Sequence, residues 1–406
     1  MIVVVINDYV RIHGGSDQVA ITGALSTSAM GIQTHYVYVV DEEIPSNLIK
    51  SEVTLHCLGG CDSLGDPNRL RSAFFSIWNP IVFFRLLRIL GKFSKEETIV
   101  HVHGWTKALT PAVYSAARYL QLRVVTTLHD YFSVCPNGAL FNFKSHCVCP
   151  LVPLSAKCCF TNCDRRSYSH KIWRLIRFCA QWSIFRFPRN GENLIFISQY
   201  SKKIITPLLK GRRIHEFDVG NSVDVRRQLR VDVSANENFV YIGRLTIEKA
   251  PHHLAQAAVR LGIKVVFIGS GELSELIKKI YPSAEVTGWI DREGILKCLQ
   301  KARVVVFTSI WHENQPLVPM EAQALGIPVI VADRCAATES VVDGATGLYY
   351  KSGDIEDLCV KIRLLFEDGA VESMGATSYD KFWASHNGGE YAARLLRTYS
   401  TILLGN

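Results

Sequence analysis

The sequence has no predominantly apolar stretch as long as the roughly 20 residues that a membrane-spanning helix requires. Its apolar beginning, residues 1–6, is too short for the apolar region of a signal peptide, and no basic residues precede it. These absences favour a cytoplasmic protein, either free or peripheral at the inner face of the cell membrane. We interpret residues 2–6 as the first strand of a sheet.

Two kinds of ligand-binding motif are also missing. The sequence contains no Asp-x-Asp pair, so nothing in it argues for a catalytic metal ion, and the residues that would hold a metal stay unknown. It contains no recognised DNA- or RNA-binding motif, so we expect no nucleic-acid partner.

The length of the chain suggests two domains, and its charge is unevenly distributed between the two halves. With 406 residues, the chain is too long for one ordinary domain and fits two, and 48% hydrophobic residues can fill their cores. Residues 1–190 hold 20 Lys and Arg against 12 Asp and Glu, whereas residues 191–406 hold 25 of each. The first half thus carries the whole net charge of +8, which suits anionic lipid, nucleic acid or a phosphorylated substrate.

The segment 304–333 shows the clearest local organisation. Residues 304–307 form a short apolar run typical of a buried strand, and a polar loop follows to Gln315. A helix is then predicted to end at Gly326, before a second strand at 329–331. This order predicts one strand–helix–strand unit of a parallel sheet.

Two carboxylates bracket the loop of this unit. Glu313 lies on the loop and Glu321 in the first turns of the helix, at the sheet edge where such folds bind ligands. The first-turn N–H groups, near Leu317 and Val318, suit a phosphate, and a carboxylate accepts sugar hydroxyls well. Alternatively, the helix dipole alone favours Glu321, and Glu313 is a solvated loop residue.

Candidate ligand-binding residues also follow three other predicted strands. Gly14 and Gly15 follow the first strand, His129 follows the strand at 124–128, and Arg244 and Lys249 follow the strand at 240–242. Glycines before a helix let a diphosphate approach the backbone. An arginine and a lysine five positions apart can hold a diphosphate from two sides. A histidine at a strand end points into a cleft. Alternatively, the glycines form an ordinary turn, the histidine is structural, and the arginine and lysine are surface cations.

The two glutamates resemble the E-x7-E motif of retaining, family 4-type glycosyltransferases (glycosyl transferases group 1), and residues 243–249 resemble the G-R-x4-K loop of that family. Several further positions agree with its pattern: Pro316, Leu317, Val318, Ala322, Gly326 and Pro328. The His-Asp-Tyr run at 129–131 matches a bacterial polysaccharide-type subgroup. The loop departs from the family at Ala250, where glycine is common.

The resemblance implies a fold and its domains. It implies an α/β protein of the GT-B type, with two Rossmann-like domains whose parallel sheets face each other across a central cleft. We expect an acceptor-side domain at 1–220 and a domain that binds the donor nucleotide at 221–380. The terminal helix, 381–406, is expected to pack back on the first domain.

The resemblance also implies an activity, the transfer of a sugar from a nucleotide-diphosphate sugar to a hydroxyl of a glycan or lipid-linked acceptor. By this resemblance, Arg244 and Lys249 stabilise the departing diphosphate, and they are assisted by Gly14, Gly15, Leu317 and Val318. Glu313 holds the sugar and Glu321 the ribose. His129 positions the reacting end of the donor or acceptor. No cofactor is expected for catalysis. A non-catalytic sugar-nucleotide-binding protein and a same-fold epimerase remain alternatives.

Six of the twelve cysteines lie between Cys135 and Cys163. A cytoplasmic chain is not expected to use disulfides, and clustered cysteines suggest zinc. The spacings, C-x-C and C-C-x3-C, are not those of a regular zinc site. We keep a structural zinc ion and reduced thiols as the two interpretations.

Two stretches combine aromatic and basic residues, as surfaces that bind membranes do. One is 74–93, and the other is 165–189, which has seven cations and no acid. We predict that the second contacts an anionic membrane surface; the alternative is a core helix with a solvated basic face.

Overall fold

Two parallel β-sheets, one in each half of the chain, organise the protein in a computed structural model that describes residues 1–386 and 388–405. The predicted α/β architecture is confirmed. The boundary between the domains near residue 220 stays a prediction.

The first half contains a seven-stranded parallel sheet and a short antiparallel hairpin, β6–β7. Its strands are β1 (Ile2–Ile6), β2 (Gln33–Tyr38), β3 (Thr54–Cys57), β4 (Thr98–Val102), β5 (Arg123–Thr127), β6 (Phe141–Asn142), β7 (Cys147–Val148), β8 (Glu192–Phe196) and β9 (Ile214–Asp218). Its helices are α1 (Gly15–Ala29), α2 (Ser46–Ile49), α3 (Arg69–Phe75), α4 (Pro80–Leu90), α5 (Ala112–Tyr119), α6 (Ala156–Phe160), α7 (Tyr168–Ser183) and α8 (Gln199–Leu208).

The second half contains a six-stranded parallel sheet and ends in three helices. Its strands are β10 (Asn238–Ile242), β11 (Val265–Ile268), β12 (Glu285–Gly288), β13 (Ala302–Phe307), β14 (Val329–Ala332) and β15 (Gly347–Tyr350). Its α-helices are α9 (Pro251–Leu261), α10 (Ser274–Ile280), α11 (Arg292–Leu299), α12 (Leu317–Ala324), α13 (Ile355–Leu364), α14 (Asp368–Ser385) and α15 (Gly388–Leu404), and two 3-10 helices cover Ile247–Lys249 and Ala336–Glu339.

The strand order determines where a ligand can bind. The orders are β3-β2-β1-β4-β5-β8-β9 and β12-β11-β10-β13-β14-β15, so all carboxyl ends in one parallel sheet lie at the same edge. The winding reverses between β1 and β4, and again between β10 and β13. Because neighbouring loops diverge at such a reversal, they leave a crevice at the carboxyl ends of the strands.

The first sheet is covered on both faces. Val4 and Ile6 of β1 belong to one apolar cluster and Val3 and Val5 to another, and all four side chains are buried. A parallel strand buried on both faces has a continuous apolar sequence rather than an alternating one. That is why the run at 2–6 could be recognised as a strand.

Two helices of the second half complete the core of the first. Tyr391 and Tyr399 of α15 pack in the cluster that contains Val3 and Val5. Leu317 and Met320 of α12 join the same cluster. The two halves therefore share apolar packing as well as polar contacts.

The sequence did not reveal one strand that has a polar sequence. The segments predicted at 304–307 and 329–331 are observed as β13 and β14, extended by two residues and one residue. The strand β9 was not predicted, because its sequence, IHEFD, is half charged or polar and largely exposed at the sheet edge. An edge strand pairs with a neighbour on one side only, and side chains that remain exposed there need not be apolar.

Several side chains of the basic stretch 165–189 pack inward along α7, whereas Arg166, Arg186 and Arg189 are exposed, and the membrane contact stays a prediction. The Nε of Arg174 lies 2.7 Å from a carboxylate oxygen of Asp164, and Arg177 donates to a backbone carbonyl at 2.6 Å. Burial lowers the pKa of Arg177 to about 10. The indole N–H groups of Trp173 and Trp182 donate to the carbonyl groups of Ala73 and Ser133.

No individual helix among residues 1–386 and 388–405 has both the length and the apolar composition to cross a membrane. The pair α3 and α4 meets those criteria only when taken together, and its axis bends by 50° at the junction. This pair contains most of the other aromatic and basic stretch, 74–93.

Candidate functional site

The centre of the candidate site is an ion pair between two residues predicted from different motifs. The ammonium group of Lys249 donates to a carboxylate oxygen of Glu313, which also accepts a 2.5 Å hydrogen bond from the Ser309 hydroxyl. Burial opposes ionisation of Glu313. The charge of Lys249 and hydrogen bonds to the carboxylate outweigh burial and hold the pKa of Glu313 below its ordinary value.

Lys249 is positioned by a short 3-10 helix that follows β10. The next residue, Ala250, is buried and adopts a left-handed conformation with φ 48°. That conformation is unfavourable for a residue with a Cβ atom and costs glycine little. This explains physically why a glycine would fit the position at which the chain departs from the family pattern.

Glu248 connects the same loop to the first half of the chain. Its carboxylate is buried, with 2% exposure, and lies 2.7 Å from an Nη atom of Arg165 and 3.5 Å from one of Arg244. Arg244 is otherwise largely exposed, with 61% of its side chain accessible, so its guanidinium can turn toward a ligand. Arg165 therefore connects the first half to the loop that carries Arg244 and Lys249, the two residues expected to bind the diphosphate.

Replacing Arg165 with methionine is expected to lower the free energy of unfolding. The buried Glu248 carboxylate would lose its nearest cation, which costs about 1–2 kcal/mol once solvent screening of the one-third exposed Arg165 is considered. Urea unfolding followed by tryptophan fluorescence measures the change. Arg166→Met is the control, since Arg166 is exposed and makes no ion pair in the described residues; equal losses for both variants would contradict the role of Arg165.

The N-termini of two helices face each other across the crevice. Gly15 begins α1, and a Cβ atom at Gly15 would lie 3.5 Å from the side chain of Leu317, the first residue of α12. Gly14 has open space beside it. Val318 follows Leu317 in the first turn, so the unpaired N–H groups of α1 and α12 converge on a region suited to a phosphate.

Glu321 lies one turn further along α12. Gln18 of α1 is its partner across the crevice, with 3.4 Å between the amide nitrogen and a carboxylate oxygen. Burial raises the pKa of Glu321 above its ordinary value. The second oxygen has no protein partner in the described residues, which leaves it able to accept hydroxyl groups of a ligand.

His129 ends a chain of buried side chains in the first half. Its Nε2 lies 2.8 Å from Nδ1 of His103, and His103 packs against His101, with ring centroids 4.1 Å apart. His101 in turn contacts Thr127 and Tyr399, each at 2.7 Å. Burial lowers the pKa of His129 to about 4 and that of His101 to about 3, so these rings are neutral at pH 7.

The loop after β13 brings the two halves of the candidate site together. Asn314 donates to the carbonyl of Leu128, 3.4 Å away, and Leu128 immediately precedes His129. His312 contacts the hydroxyl of Tyr200 at 2.7 Å. Glu313, between these two contacts, is therefore held beside the end of β5 where His129 lies.

The structure thus gathers the predicted residues at one crevice: Gly14, Gly15, His129, Arg244, Lys249, Glu313, Leu317, Val318 and Glu321. It adds Glu248, Arg165 and the support of His129 by His101 and Tyr399, which the sequence did not indicate. Only the His-x-His spacing at 101–103 could have signalled two histidines on one face of a strand. The roles of all these residues stay predictions.

The cysteine cluster surrounds a buried lysine. The ammonium group of Lys171 lies 3.3 Å from the sulfur of Cys163 and 3.6 Å from that of Cys158. In the part of the chain that the structure describes, no three His, Cys, Asp or Glu side chains are grouped as metal ligands would be. The zinc interpretation therefore has no support here, because a cation fills the space between two of the thiols.

Comparison with known proteins relates part of the chain to a family. The family model described as glycosyl transferases group 1 matches residues 227–380. A glycogen synthase of Mycobacterium tuberculosis is 25% identical over 295 residues, which cover 66% of this chain and 68% of that protein. The capsular polysaccharide biosynthesis glycosyltransferase CapM of Staphylococcus aureus is 29% identical over 230 residues, covering 50% of this chain and 57% of CapM.

The fold has solved counterparts. The crystal structure of Anabaena Alr3699/HepE in complex with UDP-glucose superposes with a TM-score of 0.69 over 99% of this chain and 100% of that chain, at 15% identity. At this identity the likeness establishes the architecture alone. The match to glycosyl transferases group 1 therefore covers residues 227–380, and the chain as a whole has the two-domain GT-B fold.

Proposed function

We propose that the protein is a retaining glycosyltransferase that moves a sugar from a nucleotide-diphosphate sugar to a hydroxyl group of a glycan or lipid-linked acceptor. The observation that carries the proposal is the pairing of Lys249 with Glu313 in the crevice beside His129. The UDP-glucose in the Anabaena structure supports a nucleotide-sugar donor, and the name of CapM supports a role in cell-surface polysaccharide synthesis.

Lys249 and Arg244 would stabilise the departing diphosphate. Negative charge develops on the leaving group as its bond to the sugar breaks, and fixed cations lower the energy of that state. Lys249 is held in place by Glu313, whereas the exposed Arg244 can leave Glu248 to meet the diphosphate. The N-termini of α1 and α12, with Gly14, Gly15, Leu317 and Val318, would donate further hydrogen bonds.

The two glutamates would bind opposite ends of the donor. Glu313 remains ionised because Lys249 is adjacent, so it can accept hydrogen bonds from sugar hydroxyls. Glu321, with one oxygen that has no protein partner among the described residues, would accept the ribose hydroxyls. His129 is neutral at pH 7 and would position the reacting end through hydrogen bonds rather than by carrying a charge.

The proposed location is the cytoplasm, at the inner face of the cell membrane. Nucleotide sugars and a lipid-linked acceptor would meet at that boundary. Arg174 and Arg177 of α7 have partners within the protein, whereas Arg166, Arg186 and Arg189 of the same stretch are exposed. A contact with anionic lipid would involve these three arginines and other exposed residues of the basic first half.

The test is to incubate the full chain with UDP-glucose and other nucleotide sugars, with and without a lipid extract. Release of the nucleoside diphosphate that requires the extract, with a product that keeps the anomeric configuration of the donor by NMR, is the expected result. Binding of donor without turnover would indicate the non-catalytic binding protein. Conversion of the donor to an epimer without an acceptor would indicate the epimerase.

A further inference from the structure

The cysteine cluster holds a buried ammonium group whose partners are sulfur atoms. Lys171 of α7 is 1% exposed, and among the described residues its Nζ atom bonds only to the sulfur atoms of Cys163 and Cys158. Burial acts to lower the pKa of Lys171, but these two thiol groups outweigh it and raise that pKa above its ordinary value. Because a buried cation is costly without an anion beside it, one of the two sulfur atoms must carry the compensating charge as a thiolate.

The surroundings of Cys163 favour it as the thiolate. Its sulfur accepts a second N–H group, from Nδ2 of Asn137 at 3.4 Å, besides the one from Lys171 at 3.3 Å. The orientation of the Asn137 amide is fixed, since its Oδ1 accepts from the thiol of Cys135 at 3.1 Å and its Nδ2 donates to the carbonyl of Phe141 at 2.9 Å. Burial raises the pKa of Cys135 to about 11, so that thiol stays protonated. Charged and neutral N–H donors on one sulfur atom stabilise a thiolate.

We propose that Cys163 is a modification site, at which oxidation by a hydroperoxide forms a covalent sulfur–nitrogen link to Lys171. The ammonium of Lys171 already contacts the sulfur of Cys163, so the two reacting atoms are adjacent before the reaction begins. Thiolates are the reactive form of cysteine toward peroxides, and the sulfenic acid that forms condenses with a neighbouring nucleophile.

The reaction balances with hydrogen peroxide as the oxidant. The thiolate of Cys163 attacks the O–O bond, which breaks as an S–O bond forms, and hydroxide leaves; the sulfur loses two electrons and the peroxide gains them. Lys171 has then lost its anion, so burial drives its proton onto the hydroxide to give water. The neutral amine attacks the sulfur, an S–N bond replaces the S–O bond, and a second water molecule leaves.

The position of Cys163 couples this modification to the candidate site. Cys163 lies two residues before Arg165, whose guanidinium pairs with Glu248 at 2.7 Å. The carbonyl of Glu248 in turn accepts the N–H of Ile310 at 3.0 Å, in the loop that carries Glu313. Bonding Cys163 to α7 draws this segment toward the helix and misaligns Arg165. We therefore expect the linked protein to transfer sugar more slowly, a consequence that rests on the proposed function.

The experiment treats the full chain with hydrogen peroxide, alkylates the remaining thiols and maps tryptic peptides by mass spectrometry. We expect a product that joins residues 158–165 to residues 167–174, lighter than the two peptides together by a pair of hydrogen atoms. Cleavage after Lys171 should be lost, because its amine is no longer free. Dithiothreitol should restore both original peptides, since thiols reduce a sulfur–nitrogen bond.

Four variants identify the linked atoms. Cys163→Ser and Lys171→Met should each abolish the product, and Lys171→Met should also slow the oxidation of Cys163 about tenfold, because the thiolate loses its cation. Cys158→Ser should leave the product intact. Lys157→Met is the matched control, since this lysine is exposed beside the same thiols. Urea unfolding followed by tryptophan fluorescence verifies that each variant is folded. A disulfide that disappears in Cys158→Ser, or a Cys163 that hydrogen peroxide leaves unmodified, would overturn the inference.

Transfer activity is the second readout. The linked protein should be slower by about tenfold or more, because small misplacements around a reacting centre are costly, and dithiothreitol should restore the rate. Cys163→Ser should keep its rate after peroxide treatment, whereas full activity of the linked protein would overturn the coupling through Arg165. A reduced protein that transfers no sugar would contradict the proposed function and leave the modification site standing, since peptide mapping does not depend on activity.

Discussion

Replacing Lys249 with alanine is expected to reduce kcat about 100-fold or more while changing the Kd of the donor by much less. The charge on the diphosphate grows as its bond to the sugar breaks, so a cation beside it acts mostly in the transition state. Lys249 is well placed for this, since Glu313 and the 3-10 helix hold it at the end of β10. Steady-state kinetics and calorimetry with the donor measure the two quantities.

The variant needs a check on folding, because it leaves the buried Glu313 without its cation. Removing one partner of a buried pair costs roughly 3–5 kcal/mol of stability. Lys249→Met with Glu313→Gln removes both charges and keeps the volume, so it should fold and remain slow. Lys264→Ala, an exposed lysine paired with Glu237, is the control. A raised KM at wild-type kcat would argue against the transition-state role of Lys249.

Replacing Glu321 with alanine is expected to weaken binding of both the donor and the free nucleoside diphosphate. Each lost hydrogen bond between a hydroxyl and the carboxylate costs about 1.5–3 kcal/mol, which corresponds to about 10- to 150-fold in Kd. Turnover at saturating donor should change less, because the ribose does not take part in bond breaking. Titration calorimetry with UDP is the measurement.

The pH dependence of that binding supplies a second readout. Burial raises the pKa of Glu321, so the carboxyl group takes up a proton at a higher pH than an ordinary glutamate. Affinity should therefore be complete above the raised pKa and fall as the pH drops through it, and Glu321→Ala should remove this dependence. Glu356→Ala, at a glutamate 81% exposed on α13, is the control. Equal affinity of wild type and Glu321→Ala for UDP would refute the assignment.

The sequence was most informative where a strand is buried on both faces and a polar group follows it. The apolar runs before Asn7, His129 and Arg244 mark β1, β5 and β10, and the polar groups lie at their carboxyl ends. Parallel strands bring those ends to one edge, so the site could be predicted to gather there. The spacing of Glu313 and Glu321 added the helix between them.

Patterns of charge and aromaticity are less informative because they describe composition and not partners. The segment 165–189 was interpreted as a membrane surface from its seven cations. In the fold, Arg174 meets Asp164, and Arg165 reaches Glu248 more than 80 residues away. A neighbour that distant in the chain leaves no trace in the local sequence, so an arginine in an ion pair and a solvated one look alike.

By itself, the amino-acid sequence determined the two α/β halves and the strand ends that carry Lys249 and Glu313. Short-range patterns suffice there, since burial requires apolar runs and a turn at a ligand requires particular residues at fixed spacing. Only the tertiary structure decided that Glu248 bridges the halves and that Lys171 lies between two thiols. Those arrangements depend on which distant segments pack together, because a buried charge is stabilised by whatever partner the fold places beside it.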